Sequence, residues 1–368
     1  MLKYIFGFFI FVHGLIHFMG FAKAFNYGNI TALTKEIAKP AGVAWLVAAF
    51  LFAAAAILFL FKKDSWSIIA VVAVILSQLM IITSWRDAKF GTIANIIIVL
   101  AAVPAMAAMY FNTMVNKEVQ TMFARVAYTS NYVITNDRLT DLPPVVKKWL
   151  THSGVVGKQS INIIRLKQKG LLKLKPDAKW IPFKACEYFT VEDPAFVWKA
   201  EVSMMPLITL YARDMLKDGE GALLIKAVAL VPVAKGSNSD KINSATVIRY
   251  LSEICWFPAA ALSNYIKWET VDSRSAKATM SYKGHTVSGI FTFNEAGDLI
   301  SFMANRYYGS GEDATLEKWL ITVTGYKEFS GIRIPYKNTV TWKLKTGDFT
   351  WADIEVTEME FNKPVLYQ

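Results

Sequence analysis

Residues 43–61 have the sequence VAWLVAAFLFAAAAILFLF, which contains no charged residue. A helix that crosses the hydrocarbon core of a bilayer needs about 20 predominantly apolar residues. Three further apolar stretches lie at residues 4–21, 68–85 and 93–111, so all of them fall within the first third of the chain. We therefore predict an α-helical membrane bundle of four transmembrane helices, which forms an anchor over residues 1–115.

The sequence changes character beyond this anchor. From residue 159 onward, short runs of alternating apolar and polar residues end at Gly-bearing turns such as Asp218-Gly219, Lys283-Gly284 and Thr346-Gly347. Alternation with a period of two is typical of half-buried strands, and short Gly turns link hairpins. Residues 142–368 are thus predicted to form an α+β soluble domain whose antiparallel sheet, of about ten strands, is strongly curved or a half-barrel.

Helices are expected beside this sheet. The pattern predicts an amphipathic helix over residues 145–152 and a helical insert over residues 245–255, shortly before Pro258. The insert is expected to cover the mouth of the curved sheet. Residues 116–141 are polar and moderately helical in pattern, which indicates a helical linker between the anchor and the soluble domain.

The charge of the chain is +11, from 40 basic and 29 acidic residues. These residues are spread over both parts, whereas a nucleic-acid-binding protein usually clusters them on one element, so we expect no nucleic-acid partner. Basic residues flank the two sides of the anchor almost equally, so the positive-inside rule does not fix its orientation. We expect a multi-pass protein of the inner membrane, and we favour an extracytoplasmic soluble domain because that position suits a role in the cell envelope.

Two histidines of the first apolar stretch form a candidate site. His13 and His17 are four residues apart and therefore share one face of a helix. Ionisable groups inside a membrane are costly and often functional, so the pair is a candidate for binding a metal, haem or quinone. Alternatively, both rings hydrogen-bond neighbouring helices. No Cys or further His lies in the other apolar stretches, so the sequence assigns no metal, and the cofactor stays unknown with none expected.

The soluble domain is rich in aromatic residues. Burial in the core accounts for many of them, whereas others are expected to line a cavity for a lipid-like ligand. The candidate ligand-binding residues are Trp198, Trp256, Phe257, Trp268, Phe291 and Trp342.

Two charged residues of the insert are also singled out. Arg249 and Glu253 are four residues apart and can form an ion pair on one helix face. Such a pair contributes little at the surface, but it would latch the insert as a lid if it were partly buried. Asp214 and Arg306 lie within apolar strands, where a buried partner is expected for each. Cys186 and Cys255 are far apart in sequence, which leaves open whether they are free or form one disulfide.

The soluble part resembles a widespread bacterial family of unknown function. The residues that carry the resemblance are Arg249-Tyr250-Leu251-x-Glu253-x-x-Trp256-Phe257-Pro258 and Gly331-Ile332-Arg333-Ile334-Pro335, within residues 142–362. The anchor is similar to that of Bacteroidetes-type proteins through His13-Gly14-x-Ile16-His17. The resemblance implies no catalytic residue, because the family has no assigned activity. The order of strands and helices is similar to that of the half-barrels of periplasmic lipoprotein carriers, which is an analogy of fold.

Three hypotheses about function follow. The sequence contains no G-x-S-x-G, Walker or H-E-x-x-H motif, so it names no catalytic residues. The first hypothesis is a membrane-anchored, non-catalytic binding protein for a lipid or lipophilic ligand in the cell envelope. The second is an envelope interaction or sensor module with a filled core, whose partner is another envelope protein. The third is a membrane redox enzyme that uses His13 and His17. Membrane lipids are expected partners in each case.

Overall fold

The structure is a computed structural model that describes residues 1–126, 132–309, 311 and 313–367. The chain divides into two compact units, Met1–Asn112 and Thr113–Gln368. The predicted linker over residues 116–141 includes residues 127–131, which lie outside the described residues.

The first unit is helical. Its helices are α1 (Leu2–Ala24), α2 (Lys39–Leu60), α3 (Trp66–Thr83), the short α4 (Trp85–Ala88) and the beginning of α5 (Gly91–Phe123). Helices α1, α2, α3 and α5 are each long and apolar enough to cross a membrane, which confirms the prediction of four such helices.

Small residues allow α1 and α2 to approach each other closely. A Cβ atom added at Gly14 would lie 2.8 Å from the Cβ atom of Phe52, and one added at Gly20 would lie 2.2 Å from the ring of Trp45. A larger side chain at either position would push the two helices apart. Glycine is common at helix interfaces in membranes for this reason.

The helices of the second unit are short. A 3₁₀ turn (Asn136–Leu139) precedes α6 (Pro144–His152), and α7 (Asp240–Glu253) is followed by 3₁₀ turns at Ile254–Trp256 and Pro258–Leu262. Helix α7 begins after Ser239, whose Oγ accepts a hydrogen bond from the backbone N–H of Ile242 at 3.3 Å. This contact satisfies one of the free donors at the helix N-terminus.

Most of the second unit is one antiparallel sheet. Among the described residues it has 13 strands in the order β6-β5-β4-β3-β2-β1-β13-β12-β11-β10-β9-β8-β7. The strands are β1 (Ile163–Leu172), β2 (Ile181–Thr190), β3 (Ala195–Met205), β4 (Ile208–Lys217), β5 (Glu220–Ala227), β6 (Val231–Ser237), β7 (Ile266–Thr270), β8 (Ser275–Tyr282), β9 (His285–Phe293), β10 (Leu299–Tyr308), β11 (Thr315–Phe329), β12 (Ile332–Leu344) and β13 (Gly347–Phe361).

The sheet is open and curves around α7. Strands β6 and β7 are its two edges, and α7 lies in the connection between them. Helix α7 contacts β4 and β5 from one half of the sheet and β8, β9 and β10 from the other half. One helix can touch both halves only if the sheet bends towards it. The prediction of a curved antiparallel sheet with covering helices is thus confirmed.

Aromatic side chains fill much of the core between the helices and the sheet. The ring of Trp149 in α6 lies 6.2 Å from Trp268 and 6.0 Å from Phe291, measured between centroids. The ring of Phe257, after α7, lies 4.9 Å from that of Phe189 in β2. These aromatic contacts join α6 and the α7 region to the inner face of the sheet.

Among the described residues, the sheet has more strands than the sequence pattern predicted. Residues 222–231 contain most of β5, a turn and the first residue of β6. The turn residues Val228 and Ala229 have φ of 46° and 61°, a conformation for which Asn and Gly are the usual sequence signal. About ten strands were expected, so the predicted number of strands was too low.

Candidate functional site

A cavity of about 310 Å³ lies between α7 and the sheet. Strands β1–β5 and β10–β13 contribute to its wall, together with α7 and the 3₁₀ turn that follows it. The wall is mainly apolar. Its aliphatic and aromatic residues include Phe183, Val202, Leu210, Ile225, Val340 and Ile354.

Arg249 of α7 stands at the polar part of this wall. Its Nη2 donates to Glu187 Oε1 at 2.6 Å, and its Nη1 donates to Asp214 Oδ2 at 2.7 Å. Its Nε donates to Glu253 Oε1 at 2.8 Å. One guanidinium therefore holds three carboxyl groups, which come from β2, β4 and α7 itself. The Arg249–Glu253 pair is part of a buried network and is not a surface ion pair.

A chain of hydrogen bonds extends this network along the sheet. The indole Nε1 of Trp198 donates to Gln168 Oε1 at 3.0 Å, and Gln168 Nε2 donates to Glu187 Oε2 at 3.0 Å. Because an indole N–H can only donate, the first bond fixes the orientation of the Gln168 amide. Both oxygens of Glu187 are thus bonded, as expected for a carboxyl group that is fully buried.

The network holds more acidic than basic groups. Burial, and then the like charge of Glu253, raises the pKa of Glu187 well above its ordinary value. Burial also raises the pKa of Glu253. Burial by itself would lower the pKa of Arg249, but the carboxyl groups of Glu253, Glu187 and Asp214 raise it. The guanidinium therefore stays charged, and the carboxyl groups of Glu187 and Glu253 release their protons only at higher pH than ordinary glutamates.

A second arginine contributes to the same wall. Arg306 Nε donates to the backbone oxygen of Ala245 at 3.1 Å, and its guanidinium lies 4.6 Å from the ring centroid of Trp319. Burial lowers the pKa of Arg306 to about 10. Arg306 and Asp214 do not form an ion pair with each other in the described structure, because Asp214 is bonded to Arg249.

The cavity adjoins a more open one of about 360 Å³. The two share six lining residues, among them Lys173, Arg306 and Trp351. The outer cavity also includes Trp342. The shared wall indicates a route from the surface towards the inner cavity.

The six aromatic candidates lie in three places. Trp198 and Trp256 line the inner cavity, and Trp342 lines the outer one. Phe257, Trp268 and Phe291 contact other core aromatics and have no place on either wall. The indole of Trp256 donates to the oxygen of Pro335 at 3.0 Å, which ties the 3₁₀ turn to β12.

Sequence reasoning missed Glu187, Gln168 and Asn338 as residues of this wall or its network. Glu187 interrupts an inward-facing row of apolar residues in β2, which includes Phe183 and Phe189. A carboxyl group on such a face needs a buried cation, and that pattern was the available signal.

Both cysteines are free thiols in the structure, so no disulfide joins Cys186 and Cys255. Cys255 lines the inner cavity, and burial raises the pKa of its thiol. It is therefore a poor nucleophile at neutral pH, because the thiolate is the reactive form.

The two histidines of the helical unit hydrogen-bond neighbouring helices. His13 Nε2 lies 2.9 Å from Asn95 Oδ1, and His17 Nε2 lies 2.8 Å from Ser77 Oγ. Asn95 also donates to Ser77 at 3.0 Å and to Gln78 at 3.0 Å. Within the described part of the chain, no group of three or more His, Cys, Asp or Glu residues is arranged to hold a metal ion. The ring nitrogens that face α3 and α5 thus have protein partners.

Comparisons with known proteins place the second unit in a family. A family of unknown function, DUF6544, matches residues 132–354. No curated protein matches the chain. Among solved structures, a LolA superfamily protein from Nitrosomonas europaea has 8% sequence identity and a TM-score of 0.32, and the alignment covers 60% of this chain and 92% of that chain.

Proposed function

The chain belongs to DUF6544, a family of unknown function, and we propose that it is a membrane-anchored, non-catalytic binding protein for a lipid or other lipophilic ligand. The cavity between α7 and the sheet carries this proposal. Sites for small ligands are usually mainly apolar clefts of roughly 300–1,000 Å³ with a few well-placed polar groups. A cavity of about 310 Å³ with the Arg249 network on its wall has this character.

The four apolar helices support the same proposal. A lipophilic ligand partitions into a bilayer, so a binding protein that is anchored there meets its ligand at high local concentration. Membrane lipids are then both the surroundings of the anchor and the source of ligands. We place the protein in the inner membrane of the cell envelope, with the β-rich domain outside the cytoplasm.

Helix α7 forms the inner wall of the proposed site. Arg249 joins it to β2 and β4 through Glu187 and Asp214, so the helix is fixed near its C-terminal end. Trp256, after the helix, is fixed to β12. These contacts hold α7 and the 3₁₀ turn in place, so that the apolar cavity beside them does not close. In this proposal the Arg249–Glu253 pair shapes the cavity and does not release a mobile lid.

Photo-crosslinking in nanodiscs tests the proposal on the full chain. A dodecyl diazirine probe is added, the sample is irradiated, and the modified residues are identified by peptide mass spectrometry. Labelling of β5 near Ile225 and of β12 near Val340 is expected, because both residues line the cavity. The helices α1–α3 provide an internal positive control, because their apolar faces are accessible to the probe in the bilayer.

Two tryptophan substitutions on β5 provide a matched pair. Ile225→Trp fills the cavity and is expected to abolish labelling of β12. Leu224→Trp places the same ring on the opposite face of the strand, because successive side chains alternate, and is expected to leave labelling unchanged. Labelling that is confined to the helices would overturn the proposal and would favour the interaction module. An equal loss of β12 labelling in Ile225→Trp and Leu224→Trp would also contradict the proposal.

A further inference from the structure

Three connections between strands lie side by side at one end of the sheet. They join β1 to β2 (residues 173–180), β3 to β4 (residues 206–207) and β5 to β6 (residues 228–230). The antiparallel registers of β2 with β3 and of β4 with β5 place all three at the same end, which we call the rim. Exposed large apolar side chains in or beside these connections include Leu174, Met205, Leu207, Leu230, Val231 and Val233. Exposed apolar patches of this kind mark binding sites for proteins or membranes.

Leu207 is the most exposed of these residues. Its relative exposure is 92%, and its φ is 69°. Gly and Asn adopt a positive φ at lower cost, because the Cβ atom of a leucine is crowded in this conformation. A large apolar residue that is both exposed and held in an unfavourable backbone conformation indicates that its side chain has a function at this position.

The rim is also basic. Residues 173–180 and the two flanks of the β5–β6 turn hold one acidic residue, Asp177, and five lysines, which are Lys173, Lys175, Lys179, Lys226 and Lys235. Trp180 ends the first connection, and the Nζ atom of Lys173 lies 4.9 Å from the centroid of its ring. Exposed Trp and Lys beside apolar side chains are typical of a membrane–water interface, where the lysines attract anionic head groups.

Helix α5 shows where the second unit begins relative to the rim. The unit starts at Thr113. The Nζ atom of Lys199, in the middle of β3, donates to Asn116 Oδ1 at 3.3 Å. Arg125, just after the helix, donates from Nη1 to Asp218 Oδ1 at 2.9 Å, and Asp218 lies in the turn at the opposite end of the sheet from the rim. The helix therefore runs away from the rim, and Thr113, which follows the apolar stretch 93–111, lies towards it.

We propose that the rim binds the surface of a bilayer that contains anionic lipids, and that the apolar side chains of its two short turns insert between the head groups. The chain carries four helices that are long and apolar enough to cross a membrane, so a bilayer is present at high local concentration. The lysines of the rim complement the negative charge of its surface. This inference goes beyond the proposed function, because it holds whether or not the cavity binds a ligand.

The rim also borders the opening of the outer cavity. Lys173 and Leu174 line both the inner and the outer cavity. Binding of the rim to a bilayer would thus bring this opening close to the lipids. Leu207 and Val231 line neither cavity, so the two turns can be tested separately from the ligand site.

A fluorescent NBD group at residue 207 tests whether the turn enters a bilayer. The group is attached to Leu207→Cys in a Cys186→Ser background, since the other cysteine, Cys255, is buried. The full chain is placed in nanodiscs of phosphatidylcholine and phosphatidylglycerol. The emission is expected to shift to shorter wavelength and to be quenched by lipids that carry a doxyl group on the acyl chain. Glu220→Cys is the matched control, because Glu220 is exposed and begins β5 at the other end of the sheet. There we expect neither the shift nor the quenching.

Two outcomes would overturn the inference. The first is equal emission and equal quenching of the NBD group at residues 207 and 220. The second is a shift at residue 207 without quenching by doxyl lipids, because it would show that a protein surface covers the turn. Neither outcome depends on labelling of β12 by the dodecyl diazirine probe, so failure of this inference and failure of the proposed function are distinguishable.

Lysine variants test the contribution of anionic lipids. Lys175→Gln removes one charge from the rim and is expected to lower the ratio of bound to unbound rim, measured by quenching at residue 207, by about fivefold. Lys217→Gln is the matched control, because Lys217 is exposed and ends β4 at the opposite end from the rim, and no change is expected there. In nanodiscs of phosphatidylcholine alone, the two variants should give equal quenching. Equal quenching of the two variants in anionic nanodiscs would overturn the assignment of an anionic bilayer.

Discussion

Arg249 Nη2 lies 2.6 Å from Glu187 Oε1, and this contact joins the C-terminal part of α7 to β2 in the sheet that the helix covers. The two residues are 62 positions apart in the sequence. Glu187 is fully buried, so its charge depends on this one guanidinium. The position of α7, and with it the shape of the proposed binding cavity, follows from a buried electrostatic network as well as from apolar contacts.

Replacing Arg249 by Leu is expected to destabilise the β-rich domain strongly. The variant leaves Glu187, Asp214 and Glu253 without their shared cation, and removing one partner of a buried ion pair costs about 3–5 kcal/mol. Hydrogen exchange followed by mass spectrometry on the full chain measures this loss as faster exchange in α7 and β2. The helices α1–α3 provide the internal reference.

Arg249→Lys is the control for charge alone. Lysine keeps the positive charge but lacks the planar fork that donates to three carboxyl groups at once. In Arg249→Lys, the protection of α7 and β2 from hydrogen exchange is expected to lie between that of the wild type and that of Arg249→Leu. If α7 in Arg249→Leu were protected from hydrogen exchange as well as it is in the wild type, the network would not be what holds α7.

The two glutamates of the network are expected to respond differently to replacement by glutamine. In Glu253→Gln the new NH₂ group can take the place of Oε2, which has no partner, so protection of α7 is expected to be unchanged or higher. In Glu187→Gln the same group would face Gln168 Nε2, another donor, whose amide is held by Trp198. Exchange in β2 is therefore expected to increase by about tenfold, as the loss of a buried hydrogen bond implies. Equal changes of hydrogen exchange in Glu253→Gln and Glu187→Gln would contradict this account.

The raised pKa values of Glu187 and Glu253 predict how stability depends on pH. A carboxyl group whose pKa is raised in the folded state binds more protons folded than unfolded at pH values above its ordinary pKa of 4.5. Its contribution is complete below that value and is lost as the pH rises through the raised pKa. As the pH rises above about 4.5, wild-type α7 should therefore lose protection from hydrogen exchange relative to Glu253→Gln. Exchange rates are corrected for the pH dependence of intrinsic amide exchange. If the protection of α7 changed with pH in the same way in the wild type and in Glu253→Gln, the prediction would be wrong.

Much of the architecture could be predicted from local sequence patterns. The apolar stretches at residues 4–21, 43–61, 68–85 and 93–111 coincide with four long helices, because burial in lipid demands continuous apolar composition. The turns at Asp218-Gly219 and Lys283-Gly284 lie between paired strands, because Gly readily adopts positive φ. Hairpins identified in this way account for the antiparallel pairing of β4 with β5 and of β8 with β9.

The candidate site was harder to predict because it is built from distant residues. Arg249 and Glu253 were identified by their spacing of four, but Glu187 and Asp214 join them only through folding. Sequence alone also does not tell which aromatic residues face a cavity. Trp198 lines its wall, whereas Phe291 has the same apolar character but lies in the filled part of the core.

The histidine network of the helical unit can be tested by replacing its central amide. Asn95→Leu removes the partners of His13, Ser77 and Gln78, and is expected to destabilise the helical unit by about 1–2 kcal/mol. Titration with sodium dodecyl sulfate, followed by circular dichroism, measures the change. Thr92→Val removes the single contact with Gln78 and should have a smaller effect. Equal stability of Asn95→Leu and the wild type would show that these contacts do not hold the helices together.

Phe291 and Trp198 were both expected from the sequence to bind ligand, and the structure predicts that they act differently. Phe291 is fully buried against Phe302 and Trp268, with ring centroids 4.8 Å and 5.1 Å away. Phe291→Ala should therefore destabilise the β-rich domain by about 3–5 kcal/mol through the space it leaves. Trp198→Phe should destabilise it less, but it removes the hydrogen bond to Gln168 and alters the cavity wall. Labelling of β12 by the dodecyl diazirine probe should accordingly change in Trp198→Phe and persist in folded Phe291→Ala. The reverse pattern would place the ligand beside α6 and not beneath α7.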